Sequence, residues 1–282
     1  MGLRVILSDV DGCVVGPGYD TYGKIQEGPD ATHDKVFEFY REFNALPFYP
    51  CTGRSYECAE GIVKRMGDPK YGVFENGVDI LIDGEFCSIF DLPGFSKHAD
   101  DLKYMREIGT VLMEKSQRIR ELCDAGHDVV FPPKKHLITI DIPYIGTHED
   151  SERVDPEKFY DTVMSVLPPN LKEVIEGDKS KITAFMNRDV ALDFKIQGIG
   201  KPEGANVLLN EIGIPLINAM LIEDADHKSL EKFYWRACPA NALDDVKKSV
   251  ISMSVNGMGY VSQLDAPEGM IDILRIAKTE AI

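Results

Sequence analysis

The chain has 282 residues, of which 44% are hydrophobic and 28% are charged. Its 47 acidic side chains outnumber its 31 lysines and arginines, so the net charge is −16. This composition supports a buried core in one large domain or two smaller ones, and it excludes nucleic acid as an expected partner because phosphate backbones require a basic surface.

Membrane partners and disulfides are also disfavoured. The acidity works against anionic lipid surfaces, and no apolar run approaches the roughly 20 residues that span a bilayer. The six cysteines form no Cys-x-x-Cys pair, so neither a zinc site nor a disulfide framework is expected. A reducing, cytoplasmic setting follows. The sequence does not indicate the oligomeric state.

Strands and helices alternate in the first 83 residues. Periodicity predicts strands over residues 4–8, 46–51 and 72–77 and a helix over residues 33–43. A second helix follows residue 55, and residues 13–32 are predicted to form a loop. Strands that alternate with helices indicate a parallel sheet with crossover helices.

The pattern changes at about residue 84. Residues 96–123 are predicted to form one long amphipathic helix or a pair, and Asp155 caps a helix that has Pro156 in its first turn. Strands are expected over residues 137–142, 172–175, 182–186 and 191–194. Residues 84–191 are therefore predicted to be a separate α/β unit.

The first pattern returns at Lys201. A helix over residues 202–212 is stopped by Gly213, and a final helix begins at Pro267. Strands are predicted over residues 219–222, 235–238 and 259–261. The fold class is therefore α/β, with residues 1–83 and 192–282 forming one parallel-sheet core around the inserted unit.

Two carboxylates lie one residue apart where the first strand ends, in the sequence Asp9-Val10-Asp11-Gly12. Ligands of parallel α/β sheets bind in the crevice at the carboxyl ends of the strands. The spacing suits a nucleophile with a partner acid, and Gly12 permits a tight turn. An ordinary strand-to-turn junction, which Asp and Gly also favour, is the alternative at this point.

Three other strand–helix junctions carry polar residues. Thr52 and Gly53 precede the second helix, where a hydroxyl and backbone N–H groups either cradle a phosphate or simply cap the helix. Lys201 precedes a helix, where it either neutralises a phosphate or is solvated. Clustered acids end a later strand and indicate a cation such as Mg²⁺ or a solvated turn; they are Glu223, Asp224 and Asp226.

The order of these motifs resembles the haloacid dehalogenase-like (HAD) phosphatase superfamily, in its Cof-type branch with a large α/β cap between the second and third motifs. The resemblance covers nearly the whole chain. Further matching segments are Glu75-Asn76-Gly77, residues 198–205, Asn241-Ala242 and residues 263–270. It implies a Rossmann-like core over residues 1–83 and 192–282, and a cap over residues 84–191 that determines substrate specificity.

Roles for individual residues also follow from the resemblance. Asp9 would be the nucleophile that forms an aspartyl-phosphate, and Asp11 the general acid and then base. Thr52, Gly53 and Lys201 would bind the transferring phosphoryl group. The Mg²⁺ ligands would be the Asp9 carboxylate, the Asp11 carbonyl and Asp224.

The fourth motif departs from the family pattern. The family commonly has Gly-Asp-x-x-Asn-Asp, whereas this chain has Glu223-Asp224-Ala225-Asp226-His227-Lys228. We favour Asp224 as the metal ligand and Asp226 as its support, with Glu223 as a substitute ligand. Asn241 and Arg54 are further supporting candidates, although an arginine at this position could equally be solvated or ion-paired.

The expected activity is Mg²⁺-dependent hydrolysis of a small soluble phosphomonoester, either a sugar phosphate or a phosphorylated carboxylic acid. A phosphotransferase or phosphomutase with the same nucleophile, or a non-catalytic binding module, are the alternatives. Candidate anion contacts in the cap, which could equally be solvated, are Lys134, Lys135, Lys179, Lys181 and Arg188.

Overall fold

A computed structural model describes residues 2–16, 31–145, 152–187 and 191–280, without the side chains of residues 31–33. Most of the loop expected over residues 13–32 therefore lies outside the described residues. The chain divides into two compact units, which we call the core unit (residues 1–89 and 199–282) and the inserted unit (residues 90–198). Among the described residues, no helix combines the length and the apolar character needed to cross a membrane.

The strands are short. In chain order they are β1 Val5–Ser8, β2 Phe48–Pro50, β3 Gly72–Phe74, β4 Asp79–Ile82, β5 Glu85–Ser88, β6 Ile138–Asp141, β7 Ile182–Asn187, β8 Ala191–Ile196, β9 Ala219–Ile222, β10 Trp235–Cys238 and β11 Gly259–Val261.

The α-helices connect these strands. They are α1 Ala31–Glu42, α2 Tyr56–Met66, α3 Leu102–Glu114, α4 Ser116–Leu122, α5 Pro156–Val166, α6 Pro169–Glu176, α7 Lys201–Glu211, α8 His227–Leu230, α9 Asp244–Ser254 and α10 Glu268–Glu280. Short 3₁₀ turns lie at Glu75–Gly77, Ile89–Asp91, Ser96–Asp101 and Leu216–Asn218.

The core unit is built on a five-stranded parallel sheet in the order β11-β10-β9-β1-β2. The expected α/β fold with a parallel sheet is thereby confirmed. β3 differs from the expectation, because it pairs antiparallel with β4 in a second sheet, β3-β4-β5. A single parallel bridge between Cys51 and Val73 joins β3 to the chain that leaves β2.

Apolar periodicity explains how the helices cover the parallel sheet. α1 buries Val36 and Phe37, and α10 buries Ile273 and Leu274, in one cluster with Ile6 of β1. Each large apolar side chain removed from water in this way contributes about 1.5–3 kcal/mol to folding. The helices thus fix the sheet and the positions at which its strands end.

The inserted unit has its own antiparallel sheet, in the order β6-β8-β7. Its helices α3 and α6 pack against β8 and β7. The strand expected over residues 172–175 is wrong, because these residues lie in α6. The helix begins with Pro169 in its first turn and buries Leu171 and Ile175, which are four residues apart on one helix face.

The two units divide at Ile89 and Gly198, a few residues later than the sequence suggests. β5 pairs with β4 and therefore stays with the core unit. β8 lies between β6 and β7 and therefore stays with the inserted unit. Strand pairing, which the local sequence pattern does not report, accounts for the difference.

Candidate active site

Strand register brings three of the predicted motifs to one edge of the parallel sheet. Ser8 of β1 lies opposite Pro50 of β2 and Ile222 of β9. Asp9, Cys51 and Glu223 follow these residues, so the chain segments that leave the three strands begin at the same level. The backbone N–H of Cys51 donates to the Ser8 carbonyl at 2.7 Å, and that of Asp9 donates to the Ile222 carbonyl at 2.9 Å.

Lys201 lies between two carboxylates at this edge. Its ammonium Nζ donates to Asp9 Oδ2 at 2.7 Å and also to Glu223 Oε1. The other oxygen of Asp9, Oδ1, accepts from the backbone N–H of Val10 at 2.7 Å. Lys201 is the first residue of α7 and is 4% exposed, so its charge is held in place by the fold.

Burial and charge act in opposite directions on the pKa values of Lys201 and Glu223. Burial alone would lower the pKa of the Lys201 ammonium, but the carboxylates of Asp9 and Glu223 raise it well above its usual range. Burial also raises the pKa of Glu223 well above that of an ordinary glutamate, although Lys201 lowers it. The ammonium therefore stays charged, and the acids around it repel one another.

Asp224 completes an acidic cluster with Asp9 and Glu223. One carboxylate oxygen from each of the three side chains can be chosen so that all lie within 4.8 Å of one another. If all three are ionised, their charge exceeds that of the Lys201 ammonium by two. This donor set is chemically suited to a hard divalent cation, which prefers carboxylate oxygens and balances that excess.

Asp226 has a different position from its neighbours. Its side chain caps α8, accepting from the backbone N–H of Ser229 at 3.0 Å and from the Ser229 hydroxyl at 2.5 Å. Its own backbone N–H donates to Glu223 Oε2 at 3.4 Å. The structure therefore brings Glu223 rather than Asp226 into the acidic cluster.

Asp11 pairs with Arg54 through both of its oxygens. Arg54 Nη2 lies 2.6 Å from Asp11 Oδ1, and Arg54 Nε lies 2.8 Å from Asp11 Oδ2. Burial alone would lower the pKa of Arg54, but the hydrogen bond and the charge of Asp11 raise it. Of the two readings of Arg54, ion-paired or solvated, the structure shows the ion pair.

The segment from Thr52 to Ser55 forms a tight turn into α2. Thr52 Oγ1 accepts from the backbone N–H of Arg54 at 3.2 Å, and Ser55 caps the helix by accepting from the N–H of Cys58 at 3.3 Å. A Cβ atom at Gly53 would lie 3.1 Å from Asn76 Oδ1. The turn therefore lies against the Glu-Asn-Gly segment.

Asn241 contacts the turn that follows Asp11. Its Nδ2 donates to the Gly12 carbonyl at 3.0 Å, and its Oδ1 accepts from the backbone N–H of Ala266 at 2.7 Å. It therefore joins the turn after Asp11 to the segment before α10. This is a supporting position, reached through backbone atoms.

The buried cysteines of the core unit take no visible part in the acid–lysine cluster. Burial, followed by the charge of Asp224, raises the pKa of Cys13 well above its usual range, and burial likewise raises the pKa of Cys51. Both thiols are free and protonated at neutral pH. They act as small buried apolar side chains, Cys13 directly after Gly12 and Cys51 directly before Thr52.

The other five candidate cations belong to the inserted unit. The Lys134 side chain is 8% exposed and its Nζ lies 3.4 Å from Asp193 Oδ1, while Lys181 pairs with Asp101 at 3.2 Å. Lys179 is exposed, and Arg188 lies outside the described residues. Thr139 and Asn187 also donate hydrogen bonds to the Asp193 carboxylate. The local sequence pattern does not predict this pairing of Lys134 with Asp193.

The sequence matches no protein-family model and no curated protein. Solved structures do match, and they show that the chain has the fold of the haloacid dehalogenase-like hydrolases, as the motif order implied.

Three of these structures illustrate the likeness. A protein from Thermoplasma acidophilum has 15% identity and a TM-score of 0.61 over 99% of both chains. The sucrose-phosphatase from Synechocystis, solved with sucrose and phosphate, has 15% identity and a TM-score of 0.55 over 98% of both chains. A HAD subclass IIB sugar phosphatase has 15% identity and a TM-score of 0.56, covering 96% of this chain and 98% of its own.

Proposed function

We propose that this protein is a Mg²⁺-dependent hydrolase of small phosphomonoesters, with Asp9 as the nucleophile. The observation that carries the proposal is the 2.7 Å contact between Lys201 Nζ and Asp9 Oδ2 inside a buried acidic cluster at the end of β1. Two of the proteins that share the fold are a sucrose-phosphatase and a HAD subclass IIB sugar phosphatase, which supports the same reaction class here.

In the first step, a carboxylate oxygen of Asp9 attacks the phosphorus atom of the substrate. The bond between phosphorus and the ester oxygen breaks, and the departing alcohol receives a proton from Asp11, which takes that proton up from solvent when it leaves Arg54. In the second step, Asp11 takes a proton from water, and the water oxygen attacks the aspartyl-phosphate. Inorganic phosphate leaves and the Asp9 carboxylate is restored.

Charge neutralisation is the main task of the other residues. Lys201 reduces the repulsion between the Asp9 carboxylate and an anionic phosphate. Thr52 Oγ1 accepts a hydrogen bond from Arg54 with a lone pair, so its O–H can still donate to a phosphate oxygen. Backbone N–H groups near Gly53 would support the same oxygens.

Asp9, Glu223 and Asp224 would hold the metal ion, because their oxygens converge and their joint charge exceeds that of Lys201. When bound, Mg²⁺ supplies positive charge that offsets the anionic substrate. We therefore add Glu223 to the predicted ligands Asp9 and Asp224, and the Asp11 carbonyl remains a further predicted ligand. The inserted unit is proposed to be the cap that selects the substrate.

The test is phosphate release from a panel of small phosphomonoesters, measured with and without Mg²⁺. We expect release that requires Mg²⁺, yields one phosphate per substrate consumed, and falls by orders of magnitude in Asp9→Asn. Asp161→Asn, the same substitution at an exposed position on α5, is the matched control and should keep full activity.

Two results would contradict the proposal. Activity that persists in Asp9→Asn would show that Asp9 is not the nucleophile. Consumption of substrate without an equal amount of free phosphate would show transfer to another acceptor, and the protein would then be a phosphotransferase.

A further inference from the structure

The ion pair between Asp11 and Arg54 has one fixed and one exposed partner. The Arg54 side chain is 12% exposed, whereas that of Asp11 is 54% exposed. Arg54 Nη1 also donates to the Cys58 carbonyl at 3.3 Å, and the Arg54 carbonyl accepts from the backbone N–H of Glu75 at 2.8 Å. The guanidinium is therefore held in position by α2 and the neighbouring turn.

This pair conflicts with the role proposed for Asp11. Both oxygens of Asp11 are engaged by Arg54, so the carboxylate must leave the guanidinium before it can approach a leaving group. Departure without replacement would break both of the hydrogen bonds that join Asp11 to a largely buried guanidinium, which is unfavourable. The exchange is favourable when another planar anion takes the vacated place.

A carboxylate is the anion that fits best. A guanidinium binds a carboxylate through two parallel hydrogen bonds, and replacing one carboxylate with another conserves charge. A sugar hydroxyl offers neither the charge nor the paired oxygens. The phosphoryl group of the substrate is already assigned to Thr52 and Lys201, so the second anion must come from the rest of the substrate.

We propose that Arg54 contributes to substrate specificity by binding a carboxylate of the substrate in place of the Asp11 carboxylate. The substrate class is then the phosphorylated carboxylic acids rather than the plain sugar phosphates. Binding of the correct substrate also frees Asp11 to reach the leaving group. This inference rests on the proposed function, and it narrows the substrate of the same site.

The test measures binding rather than turnover. Full-length Asp9→Asn protein with Mg²⁺ is titrated calorimetrically with 2-phosphoglycolate and with 2-hydroxyethyl phosphate, which carries a hydroxymethyl group in place of the carboxylate. We expect the carboxylate ligand to bind at least about tenfold more tightly, as hydrogen bonds to charged groups predict. Adding Arg54→Gln should reduce the ratio of the two affinities to about one, whereas Arg54→Lys, which keeps the charge but loses the paired hydrogen bonds, should reduce it in part.

Substituting Arg120 in the same two ways is the matched control, because its hydrogen bonds, to Asp128 at 2.7 Å and to the Ala125 and Gly126 carbonyls, lie within the inserted unit. It should leave the ratio unchanged. Equal binding of the two ligands, binding of neither, or a ratio that persists without Arg54 would overturn the inference. If Arg54 controls the ratio but the intact enzyme releases no phosphate from 2-phosphoglycolate, the carboxylate site stands and the proposed hydrolase activity fails.

Discussion

At the scale of single residues, the charge of the site depends on Lys201. Asp9 and Glu223 both contact its ammonium, and all three side chains are buried or nearly so. Buried ion pairs contribute little net stability, but removing one partner leaves an uncompensated charge in a medium of low dielectric constant. The effect of losing Lys201 should therefore exceed that of losing an ordinary surface lysine.

Lys201→Met is expected to lower the free energy of unfolding by about 3–5 kcal/mol in Mg²⁺-free buffer, because Asp9 and Glu223 lose their shared counter-charge. Urea denaturation measures the change. Phosphate release should be lost as well, since the methionine cannot neutralise a phosphoryl group.

Lys64→Met provides the control for this prediction. Lys64 forms an exposed pair with Glu60 on α2, with Nζ and Oε1 2.9 Å apart, and solvent screens such pairs. No measurable change in stability is expected there. If both variants were equally stable, the three carboxylates would not depend on Lys201 for their charge balance.

At the scale of elements, close packing of α7 against the Glu-Asn-Gly turn places Lys201. A Cβ atom at Gly204 would lie 2.6 Å from the Cα of Gly77, and one at Gly77 would lie 2.0 Å from the Gly200 carbonyl oxygen. Both distances are far below van der Waals contact. Glycine is therefore required on both sides for the helix start to reach Asp9.

Gly204→Ala is expected to destabilise the protein by about 1–3 kcal/mol through overpacking, although alanine favours helix more than glycine does. It should also reduce phosphate release, because a displaced α7 moves Lys201. Thermal unfolding and initial rates measure the two effects.

Gly109→Ala is the same substitution in α3, where a Cβ atom would meet the Ile138 side chain at an ordinary 3.4 Å. Helix propensity should then dominate, and stability should rise slightly. A Gly204→Ala protein that is as stable and as active as Gly109→Ala would rule out the packing argument.

The elements were largely predictable from the sequence, because periodicity and caps are local. The strand before Asp9 and the helix capped at Asp155 are examples. A strand was wrongly predicted over residues 172–175 because Val174 and Ile175 favour strands. Pro169 at the helix start and the four-residue spacing of Leu171 and Ile175 favour a helix instead.

The site was predictable only in part. The motif residues and their order could be predicted, whereas their pairing could not. Arg54 and Asp11 are 43 residues apart, and Lys201 and Glu223 are 22 residues apart. These contacts depend on the packing of strands and helices, which single-residue patterns do not encode. Asp226 differs for a local reason, because its side chain caps α8 instead of joining the cluster of its sequence neighbours Glu223 and Asp224.

At the scale of the whole molecule, the net charge of −16 should itself influence stability. Like charges on a folded chain repel, and added salt screens that repulsion. Raising NaCl from about 10 mM to about 200 mM at neutral pH is expected to raise the midpoint of thermal unfolding by a few degrees, since about 1 kcal/mol corresponds to roughly 2–4 °C at this size.

The same salt series near the sequence pI of about 4.8 is the control, because little net charge remains there to be screened. The shift should be much smaller. A midpoint that is insensitive to NaCl at neutral pH would mean that self-repulsion is already offset by local pairing.

The strand order also has a consequence for how the chain is made. β1 is an inner strand of the parallel sheet, between β9 and β2, and its Val5 pairs with Ala219 of β9, on the far side of the inserted unit in sequence. At about 5–20 residues per second, a ribosome needs roughly 10–40 s to travel from one strand to the other. Until then the nascent chain carries a β1 edge with unpaired N–H and C=O groups, which chaperones must cover or other chains will bind.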